Sequence, residues 1–343
     1  MYRRISFAVD SSVGSYQANY KLLQLADKEN QGLLHIKEVE LYPRDELKRK
    51  PSVTADYPDA IQLLAAIPRN QLQRFDWDSW HHIPSEVLRL LWKRQHKLTN
   101  IELLPCSKPL DQLIAELDLG SNNFYQHATE LLIADVGRGI LPAAALHILK
   151  ERPQIITLKL DFRSIMCQVD ITANDLFGDR GTPLDHLANA YREDLLKALF
   201  RPPKQLGWAV PLAITTLHLH CVELRYGPKY MLPCFDWKVL KSLHIISCKR
   251  SDVPLEELSR MPAEKRPRLD HFHIYHEQQT WEFRWVSEDI KTDRTVYYVN
   301  EFLLSMKDTL VDLWIVMRGQ HGSEGKLLSP LAPGIANHGN SLL

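Results

Sequence analysis

The segments ITTLHL at 214–219, LKSLHI at 240–245 and LDHFHI at 269–274 decide the fold, because they share one spacing of apolar residues. Each reads L-x-x-L-x-L, where L stands for any large apolar residue, and one polar residue separates the last two apolar ones. A period of two is typical of a β-strand that buries one face. The three segments therefore predict a strand that recurs along the chain.

The same spacing occurs along nearly the whole sequence. Further copies are LQRFDW at 72–77, LTNIEL at 98–103, IITLKL at 155–160 and LVDLWI at 310–315, with a weaker copy, IKEVEL, at 36–41 and one of unclear register, ATELLI, at 128–133.

Segments with helical character separate these copies. IPSEVLRLLWKRQ (83–95) carries apolar residues at i, i+4 spacing after Pro84, and LPAAALHILKE (141–151) opens at Pro142. Shorter helical segments lie at 193–200, 254–260 and 301–307. An alternation of strands and helices implies parallel strands with helices packed on one side, which is an α/β fold.

The distances between copies are those of leucine-rich repeats in part of the chain. Starts at 214, 240 and 269 are 26 and 29 residues apart, against a repeat length of about 20–29. Gaps of 57 and 59 residues, from 98 to 155 and from 155 to 214, leave open a hidden degenerate repeat or an inserted loop, for which 171–183 is the candidate. The prediction is an irregular leucine-rich-repeat solenoid over 1–318, with parallel strands on its concave face and helices on its convex face. The aperiodic tail 319–343 is predicted to be disordered.

Two copies continue into a cysteine. LTNIELLPCSKPL (98–110) and LKSLHIISCKR (240–250) read L-x-x-L-x-L-x-x-C, which places Cys106 and Cys248 where leucine-rich repeats carry Asn or Cys. We expect both thiols to be packing groups inside the turn that follows the strand.

With its opening strand YRRISFAV (2–9) and its Trp-containing strand RFDW (74–77), residues 1 to about 318 resemble the F-box and leucine-rich-repeat proteins of filamentous fungi. The resemblance implies a substrate-recognition domain of an SCF-type ubiquitin ligase that binds a protein substrate. In that family the F-box would precede YRRISF, whereas this sequence begins at Met1. Binding to the linker subunit of the ligase is therefore expected only if an F-box is restored upstream.

Composition argues against several other classes. Lys plus Arg number 42 and Asp plus Glu number 42, so no net charge attracts nucleic acid or an anionic membrane. The five cysteines form no C-x-x-C pair, which disfavours a disulfide framework and a zinc ribbon. The N-terminus lacks the apolar core of a signal peptide, and no apolar run is long enough to span a membrane. A cytoplasmic or nuclear location is expected.

Catalytic motifs are not apparent. The sequence has no G-x-S-x-G, Walker A or H-E-x-x-H pattern, and Gly137-Arg138-Gly139 lacks the third glycine of a phosphate-binding loop. Trp77 and Trp92 are assigned to the core, and 264–270 to a loop rather than a nuclear signal. We therefore predict that the chain is not an enzyme and uses no cofactor. The alternative is a hydrolase or transferase whose site is built on loops.

Aligning the copies assigns many side chains to one of two faces. The second apolar position should form one buried column, and the residue after it should form a row on the concave face. The buried column is Leu217, Leu243, Phe272 and Leu313. The row on the concave face is His218, His244, His273 and Trp314, and it is flanked by His220 and His271. Toward the N-terminus the row continues through Lys159, Glu102, Asp76 and Glu40.

The histidine row has three interpretations. It is a solvated surface without a role, a surface that binds a partner, or a site for zinc or copper. The predicted site is the partner-binding one, with no catalytic, cofactor-binding or metal-binding residues assigned. Because histidine changes charge between about pH 5 and 8, partner affinity should change across that range. The predicted contacts are His218, His220, His244, His271, His273 and Trp314.

Overall fold

The computed structural model describes residues 3–9, 24–27, 29–43, 57–77, 83–103, 127–134, 154–162, 196, 199–200, 211–277, 295–306 and 308–318. The chain divides into two compact units, Met1–Ile155 and Ile156–Leu343. Strands alternate with helices, and every strand pair within each unit is parallel. The fold is therefore α/β with parallel sheets, as the alternation of patterns predicts.

In the first unit, strands β1 (Arg4–Val9), β2 (Glu38–Pro43) and β3 (Arg74–Trp77) form a parallel sheet in chain order. Strands β4 (Asn100–Leu103) and β5 (Glu130–Ala134) pair with each other. The copy of unclear register is therefore a strand.

Two helices of the first unit pack together, α1 (Pro58–Ala66) and α2 (Ser85–Arg94). Helix α2 buries Val87, Leu88, Leu91 and Trp92, the apolar residues at i, i+4 spacing. At its end, the buried Gln95 side chain accepts hydrogen bonds from the Gln71 and Leu72 amides and donates one to Pro68 O. This side chain thereby attaches the turn before β3 to the end of α2.

In the second unit, five described strands form one parallel sheet in chain order. They are β6 (Thr157–Asp161), β7 (Thr216–His220), β8 (Ser242–Ile246), β9 (His271–Glu277) and β10 (Asp312–Arg318).

The α-helices of this unit whose bounds the structure describes are a single turn, α3 (Gly227–Tyr230), and two longer segments, α4 (Asp252–Arg260) and α5 (Thr295–Ser305). Two 3-10 turns lie at Leu232–Cys234 and Trp237–Val239. Helices α4 and α5 contact each other. Helix α4 contains the predicted helical segment 254–260, and α5 overlaps the predicted segment 301–307 up to Ser305.

Each strand from β2 onward begins two residues after the first apolar residue of its L-x-x-L-x-L copy. Leu72, Leu240 and Leu269 are buried but precede β3, β8 and β9. A repeated hydrogen-bond pattern accounts for the offset. The amides of the second and third residues of a copy both donate to the carbonyl of the second residue of the preceding copy, as Lys241 and Ser242 do to Thr215 O.

The predicted buried column is confirmed. Leu217 pairs with Leu243, Leu243 with Phe272, and Phe272 with Leu313, and each is less than a tenth exposed. Leu158 of β6 extends the column by one strand. Burying one such side chain contributes about 1.5–3 kcal/mol. The ring of Phe272 lies 5.2 Å from that of Phe302 on α5, so the column also stabilises the packing of this helix on the sheet.

The backward continuation of the row is wrong in the first unit. Glu40 does pair with Asp76, but Glu102 lies beside Leu132 of β5, a strand that the predicted row leaves out. Glu102 also forms no ladder pair with Asp76, because β3 and β4 belong to different sheets. In this unit only Glu40 and Asp76 remain neighbours as predicted, whereas in the second unit Lys159 pairs with His218 as the continuation requires.

Between β3 and β4, two side chains take the place of backbone hydrogen bonds. Asn100 Oδ1 accepts from the Phe75 amide at 3.1 Å, and Asn100 Nδ2 donates to Phe75 O at 2.6 Å. Glu102 Oε2 accepts from the Trp77 amide at 2.9 Å. These bonds give hydrogen-bond partners to the backbone groups on the edge of β3 that faces β4, as buried backbone groups require. The regular strand-to-strand ladder is interrupted between β3 and β4.

Of the two cysteines predicted as packing groups, Cys248 is confirmed. It is buried, and its Sγ lies 3.3 Å from Leu219 O and 3.4 Å from Ile246 O. Burial raises the pKa of this thiol far above its usual value, so it stays protonated.

Several predicted features lie outside the described residues. They are Cys106, 137–139, 141–151, 171–183 and the tail 319–343.

A candidate partner-binding face

One surface of the β6–β10 sheet carries all the predicted site residues, and we call it the histidine face. The strand register arranges it as three rows of five residues, one from each strand. In strand order the first row is Thr157, Thr216, Ser242, His271 and Asp312, the middle row is Lys159, His218, His244, His273 and Trp314, and the last row is Asp161, His220, Ile246, Tyr275 and Val316.

The middle row confirms the predicted alignment of His218, His244, His273 and Trp314. The rings of His218 and His244 are stacked, with centroids 3.9 Å apart and planes 8° from parallel. His273 meets His244 edge-on at 4.5 Å and lies 6.1 Å from Trp314. Since strands in a sheet are about 4.8 Å apart, consecutive rings contact one another along the row.

His244, at the centre of the row, is held in its neutral form. Burial lowers its pKa to about 4, and nearby His273 and His271 add to the effect. Ser242 Oγ lies 2.7 Å from His244 Nε2, which gives the ring a hydrogen-bond partner. The centre of the face is therefore uncharged at neutral pH.

Asp312 gives the β10 side of the face a negative charge. Its Oδ2 lies 2.6 Å from His273 Nε2 and 3.4 Å from His271 Nδ1. The hydrogen bond from His273 is the main reason that the pKa of Asp312 is lowered. The carboxylate stays ionised at neutral pH and is half exposed to solvent.

Aromatic and ionic groups flank the row. The rings of Tyr275 and Trp314 lie 6.2 Å apart and 19° from parallel, and Trp314 is 39% exposed. On the β6 side, His220 Nδ1 lies 3.7 Å from Asp161 Oδ2. The face thus offers partly exposed rings, with a carboxylate near each end.

The histidine face itself does not have the geometry of a catalytic site, and the alternative of a site built on loops is a separate question. Ser242 and His244 have the contact of a nucleophile and a base, but a histidine with a pKa of about 4 is a weak base at neutral pH. Among the described residues, no carboxylate forms a hydrogen bond with His244 that would orient it as in a catalytic triad. Within those same residues, no three His, Cys, Asp or Glu side chains are arranged to hold a metal ion.

The comparisons with known proteins add no assignment: no protein-family model, curated protein or solved structure matches this chain. In the part of the chain that the structure describes, no helix has the length and apolar character needed to cross a lipid bilayer.

Among the residues of this face that sequence reasoning did not name, Ser242, Tyr275 and Asp312 contact the predicted row. Asp312 and Ser242 occupy the third position of their copies, and Tyr275 follows the last position. The alignment that found the middle row contains this information, because residues two positions apart on a strand share a face. Reading three positions per strand instead of one would have placed them.

Proposed function

We propose that this chain is a non-catalytic protein-interaction scaffold of the leucine-rich-repeat type, and that its partner binds the histidine face. One observation carries the proposal, the row of contacting rings that ends in the exposed Trp314. Aromatic side chains are enriched among the residues that contribute most to protein–protein binding. Parallel strands in chain order offer a wide, regular surface of the kind that repeat proteins use for recognition.

Two features support the repeat interpretation. The double hydrogen bond to the second residue of the preceding copy recurs at Thr215, Lys241 and Asp270. Cys248 fills the inside of the turn after β8, as the cysteine of a leucine-rich repeat would. Both follow from the spacing of the copies and do not depend on the identity of the partner.

The resemblance to F-box proteins gives the proposal a more specific form. In that form the partner is a protein substrate presented to a ubiquitin ligase, and the histidine face selects it. The exposed Trp314 and Asp312 are the groups of the face that can select a substrate, since one offers an aromatic ring and the other a charge. The uncharged centre of the face can contact substrates of either charge.

Affinity purification from the native cell, with quantitative mass spectrometry, tests the proposal. We expect the partner recovered with the wild type to be reduced at least about tenfold with Trp314→Ala and His273→Ala combined, since loss of one anchor typically costs about 2 kcal/mol or more. The matched control is Tyr297→Ala on α5, which removes an aromatic side chain that is also exposed. We call the combined Trp314→Ala and His273→Ala protein the row variant. Equal recovery of every protein with the row variant and with the control would refute the assignment of the face.

A further inference from the structure

The β10 side of the histidine face combines a carboxylate with two aromatic rings. Asp312 and Trp314 are two residues apart on one strand, and their side chains therefore lie on the same face, with Cα atoms about 6.6 Å apart. Tyr275 stacks against Trp314 from the neighbouring strand. A group bound above Trp314 is within reach of the Asp312 carboxylate.

We propose that these three residues bind an arginine side chain of the partner, an inference that rests on the function proposed above. A guanidinium is planar, stacks on aromatic rings and pairs with carboxylates, which is the combination of contacts that Asp312, Trp314 and Tyr275 present. None of the three residues is a lysine or an arginine, so none of them repels the incoming charge.

Asp312 is oriented for this contact. Its two hydrogen bonds with described residues, to His273 Nε2 and His271 Nδ1, both involve Oδ2. Within the described part of the chain no donor contacts Oδ1, which can accept from an incoming group, and half of the side chain is exposed. His271 and His273 are positioning residues, because they hold the carboxylate without themselves contacting the arginine.

The remaining charges of the face favour the same end. Lys159 lies in the middle row on β6, four strands away from Trp314. Four strand spacings amount to about 19 Å, which exceeds the distance over which exposed charges interact in physiological salt. On the β6 side Lys159 accompanies the Asp161 carboxylate, whereas no Lys or Arg stands in the rows of the face on β9 or β10, so an arginine is attracted more strongly to the β10 side.

The test is a nuclear magnetic resonance titration of the full chain with two peptides, acetyl-Gly-Arg-Gly-amide and the same peptide with citrulline, which has the shape of arginine without its charge. Amide resonances of β9 and β10 and the Trp314 indole resonance report binding. We expect the arginine peptide to bind at least about tenfold more tightly than the citrulline peptide at pH 7.5.

Asp312→Asn should abolish the preference for arginine, whereas Asp308→Asn, which removes an exposed carboxylate outside the strands, should leave it unchanged. Trp314→Leu is a second variant, and it should weaken the binding of both peptides. Equal binding of the two peptides to the wild type, or an unchanged preference in Asp312→Asn, would overturn the inference.

The outcome is separable from that of the proposed function. If the row variant loses its partner but the two peptides bind equally, the arginine inference fails and the proposed function stands. If the row variant keeps all its partners, the proposed function fails and the arginine inference fails with it.

Discussion

Replacing Asn100 by Leu should separate β3 from β4 locally, because one buried amide group satisfies both polar groups of Phe75. The substitution keeps the size of the side chain but leaves the Phe75 amide and carbonyl without their partner at 3.1 and 2.6 Å. Each buried backbone group that loses its hydrogen bond costs about 1–3 kcal/mol. Allowing for partial relaxation, we expect the free energy of unfolding to fall by about 2–4 kcal/mol.

The matched control is Thr99→Val on the adjacent residue. Thr99 Oγ1 also donates across the same strand boundary, to Gln73 O at 2.8 Å, but it does so on the exposed surface. Gln73 O keeps its bond from the Thr99 amide. The control should therefore cost less than about 0.5 kcal/mol, as substitutions at the surface usually do.

Hydrogen exchange measured on single amides is the most direct assay. In Asn100→Leu the Phe75 amide should exchange at least about 30-fold faster than in the wild type, since 1.4 kcal/mol is a factor of ten. The Trp77 amide, bound by Glu102, should accelerate less. Equal protection of Phe75 in the wild type and Asn100→Leu would refute the assignment of these bonds as the link between the strands.

Three further predictions concern stability and its dependence on pH. Leu217→Ala should lower the free energy of unfolding by about 2–5 kcal/mol, because Leu217 is fully buried, whereas Val311→Ala, at a residue 77% exposed, should change it by less than about 0.5 kcal/mol in the same urea titration. Burial raises the pKa of Glu102, so as the pH rises the unfolded chain loses this proton before the folded chain does, and the free energy of unfolding falls. Glu102→Gln should therefore stabilise the protein at pH 7.5 but not at pH 4. The exposed Glu29→Gln is the control. The ring of His244 should titrate near pH 4, whereas in the unfolded chain it takes up its proton near pH 6.5. The free energy of unfolding should therefore fall as the pH is lowered from about 6.5 to 4, and it should fall less steeply in His244→Gln. A titration midpoint of the ring near pH 6.5 would refute its burial.

Much of the second unit could be predicted from the sequence, because period-two patterns specify both the face and the register of a strand. Aligning Leu217 with Leu243 and Phe272 was enough to place His218, His244 and His273 side by side. A register error of one residue would have buried the histidines instead of the leucines, so the apolar pattern alone determines this result.

The contacts among these side chains could not be predicted, because they depend on rotamers. A fuller alignment could have placed Asp312 on the face, but no alignment shows that both His271 and His273 bond to its Oδ2. The neutral state of His244 likewise follows from burial and from its neighbours, which only the folded chain brings together.

The strand boundary at Asn100 was missed for a different reason. The copy LTNIEL has the same apolar spacing as its neighbours, and spacing alone predicts an uninterrupted ladder. The signal was the residue type, because Asn is disfavoured in strands and its amide can bond to backbone groups. Asn100 uses that capacity to replace the ladder bonds of Phe75, and the sheet ends there.

The central claim, that the histidine face binds a protein partner, is tested most directly by photo-crosslinking in the native cell. A photoreactive phenylalanine analogue is placed at Trp314 on the face or at Tyr297 on α5, two positions with exposed aromatic side chains. We predict that one partner is crosslinked from position 314 and not from position 297. Crosslinking of that partner from position 297 alone, or of no protein from position 314, would contradict the claim.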